Sequence, residues 1–506
     1  MKKIAVVFTL SLVSAAALDA QTDTTRAVRE WRSSNQRPIL TELTALLSIP
    51  NVASDAPNIA RNAELLESML RRRGFVTSQL TVPGSPPAVF GERTVAGASE
   101  TIVFYAHYDG QPVDPAEWAS DPWTPTLLDA PREAGGRPLD LKQISDAVPS
   151  EARLYARSAS DDKSPIVAFL AAIDALEAKK IPLRTNIKVF LEGEEENGSP
   201  HLETMLRTHA EKLRGDLWIF ADGPVHQSRA MQVYYGVRGV TTMELTTFGP
   251  SRALHSGHYG NWAPNPIVEL TALIASMRDP EGRILIEGFF DDVRPLSDEE
   301  KTAIARIPAI DSALREELAL GRSEAANATL AERISIPALN VRGIAGGAVG
   351  ERSANAIPTR ATASIDFRLV PDQTPQSVIA KVRSHLVRNG FHVVGTEPSA
   401  EVLRAHPKVI LLAAPGDGYP AARTDMTLPI VRRAVESVSR ARGDVIEVPT
   451  LGGSLPIYLF QKVLGAPLIG LPIVNHDNSQ HAANENLRIQ NLRDGIEVYA
   501  EVLAKE

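Results

Sequence analysis

"KVFLEGEEENGSP", Lys188 to Pro200, joins an apolar run to a turn with four glutamates in five positions, Glu192, Glu194, Glu195 and Glu196, followed by Asn-Gly-Ser-Pro. The apolar half reads as a strand and the Asn-Gly-Ser-Pro half as the turn that closes it. Carboxylates packed this closely repel one another, so either solvent dilutes the cluster or a cation offsets it. Three other apolar runs close on a polar turn: "TIVFYAHYDG" (Thr101 to Gly110), "DLWIFADG" (Asp216 to Gly223) and "APLIGLP" (Ala466 to Pro472). Between the runs, "SPIVAFLAAIDALEAKK" reads as a helix with Pro165 at its first position. Strands alternating with helices predict an α/β fold, a doubly wound mixed, mostly parallel sheet whose ligands sit at the carboxyl ends of the strands.

Outward from this core the pattern changes. Residues Thr24 to Gly74 carry Leu40, Leu43, Leu46 and Leu47, then Leu65, Leu66, Met69 and Leu70, at helical spacing. In the middle, "VRGVTTMELTTFGP" alternates, "APNPIVELTALIASM" is helical, "TRATASIDFRLVP" alternates and "TPQSVIAKVRSHLVRNG" is helical. This order predicts an inserted α+β unit over 236–401, with the main domain before it (21–235) and after it (402–506). Residues Asp279 to Ala331, rich in Glu, Arg and Ala, read as a helical excursion of the insert.

At 506 residues, 43% hydrophobic and 23% charged, the chain is long enough for two domains and has the composition of an ordinary globular protein. Lys2 and Lys3, the apolar run Ile4 to Val13 and "SAAALDA" (Ser14 to Ala20) read as a cleaved signal peptide, 1–20, which predicts an exported, periplasmic or secreted protein. No other run is apolar enough to span a membrane. The absence of cysteine excludes disulfides, thiolate metal sites and cysteine nucleophiles. A net charge of −8, with only "RRR" (Arg71 to Arg73) as a basic run, argues against nucleic acid as a partner.

Four strand-end turns carry metal-capable side chains: His107 with Asp109, Asp161 with Asp162, Glu195 with Glu196, and Asp222. "NHDNSQHAANENL" adds His476, Asp477 and His481. Each has an ordinary reading when taken alone, as a helix N-terminus, a turn residue or a solvated loop. Together they would fall along one edge of one sheet, and imidazoles with carboxylates are the ligand set of catalytic zinc, manganese or cobalt.

In this order and spacing, "AHYDGQP", "ASDDKS", "LEGEEENGS", "ADGP" and "HAANENL" resemble the co-catalytic zinc peptidases of the M20 family, especially its carnosinase-like dipeptidase branch. The resemblance implies a catalytic domain around two Zn2+ ions, with Mn2+ or Co2+ as substitutes, and a lid domain that also makes a homodimer. It implies His107 as first ligand of one ion, Asp161 as the bridging carboxylate, Glu196 and Asp222 as ligands to opposite ions, and His481 as the last ligand. Glu195 takes the general-base position and Asp109 orients His107. "ALHSGHYG" (Ala253 to Gly260) supplies His255 to the oxyanion, while Arg368, Asn355, Gly453 and Ser454 match positions that hold a substrate carboxylate. The implied activity is amide hydrolysis of small peptides with a free carboxylate, of dipeptidase or carboxypeptidase type. A deacylase of N-acyl amino acids, or a catalytically inactive peptide-binding protein on the same fold, are the alternatives. Two departures stand out: "ARS" (Ala156 to Ser158) in place of the family's "GRG", and Leu451 where many dipeptidases carry an acid.

Overall fold

The computed structural model of the chain describes residues 22–143, 148–325, 327–416 and 418–504. The leader expected at 1–20 lies outside them. The chain divides into two compact units. One comprises the chain up to Val233 with Thr427–Ile446 and the stretch from Ile469 onward; the other comprises Tyr234–Met426 with Glu447–Leu468.

In the first unit, Val76–Leu80, Ala88–Arg93, Asn186–Glu192, Thr101–His107 and Leu217–Phe220 run side by side in that order within an eight-stranded sheet among the described residues. The last three are parallel, with His107 opposite Glu192 and Tyr105 opposite Phe220, so their carboxyl ends share one edge. The Val76–Leu80 and Ala88–Arg93 strands are antiparallel additions, which makes the sheet mixed. Both faces of the central strand are covered, and its residues Ile102 to His107 are all buried. This is why it reads as a continuous apolar run rather than an alternating one.

The helix Lys163–Ala178 is buried along nearly its whole length. Phe169 stacks on Phe104 with ring centres 4.1 Å apart, and Tyr499 of the helix Ile489–Leu503 meets Phe104 edge-on at 5.5 Å. Each such aromatic pair adds about 0.5–1.5 kcal/mol beyond its buried area. Pro165 takes the third helical position, not the first. The helix starts earlier than expected because the first four N–H groups lack intrahelical partners, and a proline anywhere in that turn forfeits nothing. Asp161 and Asp162 therefore stand at the mouth of a helix locked into the core.

The second unit is built on a five-stranded sheet among the described residues, in the order Ala338–Ala345, Arg360–Leu369, Gly239–Phe248, Val409–Ala413, His392–Val394. Helices Pro266–Met277 and Pro375–Arg388 contribute Leu270, Leu273, Met277, Val378, Val382 and Leu386 to a core with Met243, Leu245, Ile365 and Phe367. The insert expected over 236–401 runs further than that: Val409–Ala413 pairs antiparallel with Gly239–Phe248, and this ladder carries the unit past Glu401. Among its described residues, the stretch from Asp279 to Ala331 holds two short helices, Asp298–Arg306 and Asp311–Glu317, and the start of a third, Leu330–Ile334.

Candidate active site

The acid-rich turn that follows Asn186–Glu192 is a single 3-10 turn, Glu195–Asn197, closed by Gly198 at φ 81°. Only glycine enters that left-handed region without strain, which accounts for the Asn-Gly of the sequence. The turn is held from across the sheet edge. Asp109 accepts the backbone N–H of Glu195 on Oδ1 at 3.1 Å and that of Glu196 on Oδ2 at 3.0 Å. Two neighbouring side chains thus leave one rigid turn in different directions.

His107 is fully buried at the end of its strand. Its Nε2 lies 2.9 Å from Asp161 Oδ1, and its Nδ1 lies 3.4 Å from Asp109 Oδ1. His481 reaches the same place from the far end of the sequence, with Nε2 3.2 Å from both Asp161 Oδ2 and Glu196 Oε2. Gln111 Nε2 donates to Glu196 Oε2 at 2.8 Å. Donor atoms of His107, Asp161 and Glu196 all lie within 4.8 Å of one another, and so do those of His107, Glu195 and Asp222. His107 belongs to both groups, while Glu196 and Asp222 fall in different ones.

The electrostatics of the cluster are those of too many acids out of water. Burial pushes Glu196 up to about 7 and Asp222 up to about 6, and the charge of Asp161 adds to both. Burial likewise raises Glu195 well above the usual carboxylate range, with His107 opposing and Asp222 and Asp161 adding. Asp161 goes the other way: against burial, hydrogen bonds from His107 and His481 hold it well below that range. Burial opposes charge on His107, but Asp109 and Asp161 together raise it. The positive groups easing these acids are the two imidazoles, and a divalent cation would relieve the same repulsion more fully. The donor set, carboxylates and imidazoles without thiolate, suits zinc, manganese or cobalt.

Glu485, in "HAANENL", carries structure that the sequence reading left unassigned. It is fully buried and accepts the N–H groups of Ser158, Ser160 and Asp161, each at 2.9 Å, while Arg157 Nη1 donates to it at 2.7 Å. This one carboxylate shapes the loop that presents Asp161. Its only sequence signal was an acid four residues after His481.

The remaining expected site residues lie in the second unit. His255 pairs with Ala356 in a two-stranded ladder, and the Ser256 N–H donates to the Asn355 carbonyl at 2.8 Å, so His255 and Asn355 are neighbours. Both are exposed. Arg368 Nη1 donates to Ser454 Oγ at 2.9 Å, beside Gly453.

A family model described as peptidase family M20/M25/M40 matches residues 103–505. The chain belongs to that family. It is accordingly a metal-dependent peptidase. The Cys-Gly metallodipeptidase dug1 of Schizosaccharomyces pombe is 26% identical over 478 residues, covering 91% of this chain and 94% of that protein. The Beta-Ala-His dipeptidase of Homo sapiens is 27% identical over 429 residues, 82% of this chain and 76% of that protein. Among solved structures, the M20 family metallo-carboxypeptidase Sso-CP2 of Sulfolobus solfataricus matches with a TM-score of 0.70 at 28% identity, over 92% of this chain and 98% of that one.

The exported location expected from residues 1–20 is corrected by these relatives: the fungal Cys-Gly metallodipeptidases that align along the M20 chain are cytosolic. A basic start followed by an apolar stretch is a short pattern, and here relatives aligned over nine tenths of the chain outweigh it. No helix among the described residues is long and apolar enough to cross a membrane.

Proposed function

We propose that the chain hydrolyses the amide bond of small peptides bearing a free carboxylate, as a dipeptidase or carboxypeptidase, with two zinc ions as its cofactors. The observation that supports this reading most is the meeting of His107, Asp161, Glu196 and His481, residues 374 positions apart at the extremes (481 − 107), around one fully buried imidazole. In this assignment His107 and Asp222 would hold one ion, Glu196 and His481 the other, and Asp161 would serve both. Such a pair of divalent ions would supply Lewis acidity and lower the pKa of a water toward about 7.

The chain's own residues do the rest. Glu195 takes a proton from the attacking water on its carboxylate and returns it to the nitrogen of the leaving amine as the C–N bond breaks. Asp109 fixes the tautomer of His107 through Nδ1 and holds the Glu195–Glu196 turn. His255 donates to the oxyanion. Arg368, Asn355, Gly453 and Ser454 take the substrate's carboxylate, a task suited to a guanidinium fork and backbone amides. Pairing of two chains through the second unit is supported by Ile344 and Val349, exposed on and just beyond the edge strand Ala338–Ala345.

The test is a substrate panel of dipeptides, dipeptide amides and N-acetylated amino acids, run on chelated and zinc-restored protein. Hydrolysis of the free dipeptides that depends on restored zinc is expected. Turnover of the N-acetylated amino acids alone would assign a deacylase, and binding without turnover of any member would assign a peptide-binding protein.

A further inference from the structure

The second unit holds a buried polar cluster whose charges do not balance. Arg368 Nε donates to Asp366 Oδ2 at 3.0 Å, and its Nη1 is spent on Ser454 Oγ. In the ladder between Gly239–Phe248 and Arg360–Leu369, Val240 stands opposite Arg368. Arg238 therefore enters two residues away from that position. Its backbone N–H donates to the Gly453 carbonyl at 3.2 Å, which ties it to the loop that carries Ser454. Its side chain is 7% exposed: Nη2 donates to the Ile336 carbonyl at 3.0 Å, and Nε is buried with no hydrogen-bond partner.

Burial, and after it the charge of Arg368, pushes Arg238 down to about 10, while Asp366 pulls it back. The carboxylate that pairs with Arg368 is itself 5% exposed and also approached by Asn340 Nδ2 at 3.4 Å. The segment that carries Arg238 packs closely on its neighbours. A Cβ on Gly236 would stand 1.9 Å from the Ala422 carbonyl oxygen, and one on Gly239 2.4 Å from that of Tyr419. A surplus guanidinium held out of water is costly until an anion joins it.

We propose that Arg238 is a positioning and specificity residue: tied to the Gly453 loop beside Arg368, it adds a buried positive charge that the Arg368–Asp366 pair does not neutralise, which opens the Arg368 edge to one small carboxylate. With two cations against one anion, the site takes a single negative charge: the α-carboxylate of a dipeptide or of an N-acyl amino acid. This rests on the peptidase reading above and adds to it a reason why a free carboxylate is required.

The test compares a dipeptide with its C-terminal amide. In wild type the acid is preferred. Arg238→Met should raise KM for the acid about tenfold more than for the amide, the scale of removing one charge roughly 10 Å away at an effective dielectric near 20. The effect should lie in KM rather than kcat, and Arg238→Lys should restore much of the preference. An equal loss on acid and amide, or an undiminished preference, would overturn the proposal. If Arg238→Met does not fold by circular dichroism, Arg238→Gln against Arg238→Lys carries the same comparison. Calorimetry with N-acetyl-leucine and its amide reads the site without turnover. Tighter binding of the acid, weakened in the variant, supports the proposal even if wild type cleaves nothing, in which case the peptidase reading alone fails. Equal binding of acid and amide to wild type would sink it.

Discussion

The acid cluster around His107 and the guanidinium cluster around Arg368 are both largely buried, yet they carry opposite surpluses. In the first, four carboxylates, Asp161, Glu195, Glu196 and Asp222, are eased by two imidazoles. In the second, Asp366 bonds Arg368, and the buried guanidinium of Arg238 adds a further positive charge. Two buried pairs elsewhere in the chain balance one to one. Glu485 with Arg157 is one such pair, and Arg423 with Glu300, at 3.0 Å, is another. The difference in sign is what the comparison teaches: a cation would ease the first cluster and an anion the second.

The comparison can be broken most severely at the base. Glu195→Ala should lower turnover about 10³-fold, the usual share of a general base, while the metal content stays that of wild type. Loss of metal along with activity would make Glu195 a ligand, a possibility its closeness to His107 and Asp222 keeps physically real. Next in size is Glu485→Gln. It leaves Arg157 buried beside a neutral amide and loosens the loop carrying Asp161, and it should cost about 3 kcal/mol of stability in a denaturant titration. An unchanged midpoint would show that the loop is held by something else.

Asp109→Asn should weaken zinc affinity about 10–100-fold in a competition titration, since it disturbs both the His107 tautomer and the Glu195–Glu196 turn. Unaltered affinity would leave Asp109 no part in holding either. The smallest effect is expected where charges already balance in solvent. Removing the exposed Arg214–Glu211 pair, at 2.7 Å, should change stability by less than about 0.5 kcal/mol and leave activity alone. A larger change would mean that surface pairs matter here as much as buried ones.

The features that could be read in the sequence were those fixed by local pattern. The runs ending at His107, Glu192 and Phe220 are apolar because both sheet faces are covered, and their polar turns share an edge because the strands are parallel. What could not be read depends on contacts across the chain. Glu485 looks like any loop acid until three amides from Ser158, Ser160 and Asp161 converge on it. Arg238 looks like a strand-edge charge until its burial and its bonds to the carbonyls of Gly453 and Ile336 are known. The end of the inserted unit was misjudged because Val409–Ala413 is a short apolar strand that could pair in either sheet, and only its ladder with Gly239–Phe248 decides. The exported location was corrected for a different reason: a twenty-residue compositional pattern says nothing about the relatives of the remaining chain.

Metal content per chain, measured by elemental analysis after chelation and reloading with zinc, bears most directly on the central claim. Two equivalents are expected in wild type, one in His481→Ala, and almost none in Asp161→Ala, whose carboxylate both ions would share. One equivalent or none in wild type, or two retained by Asp161→Ala, would contradict the account.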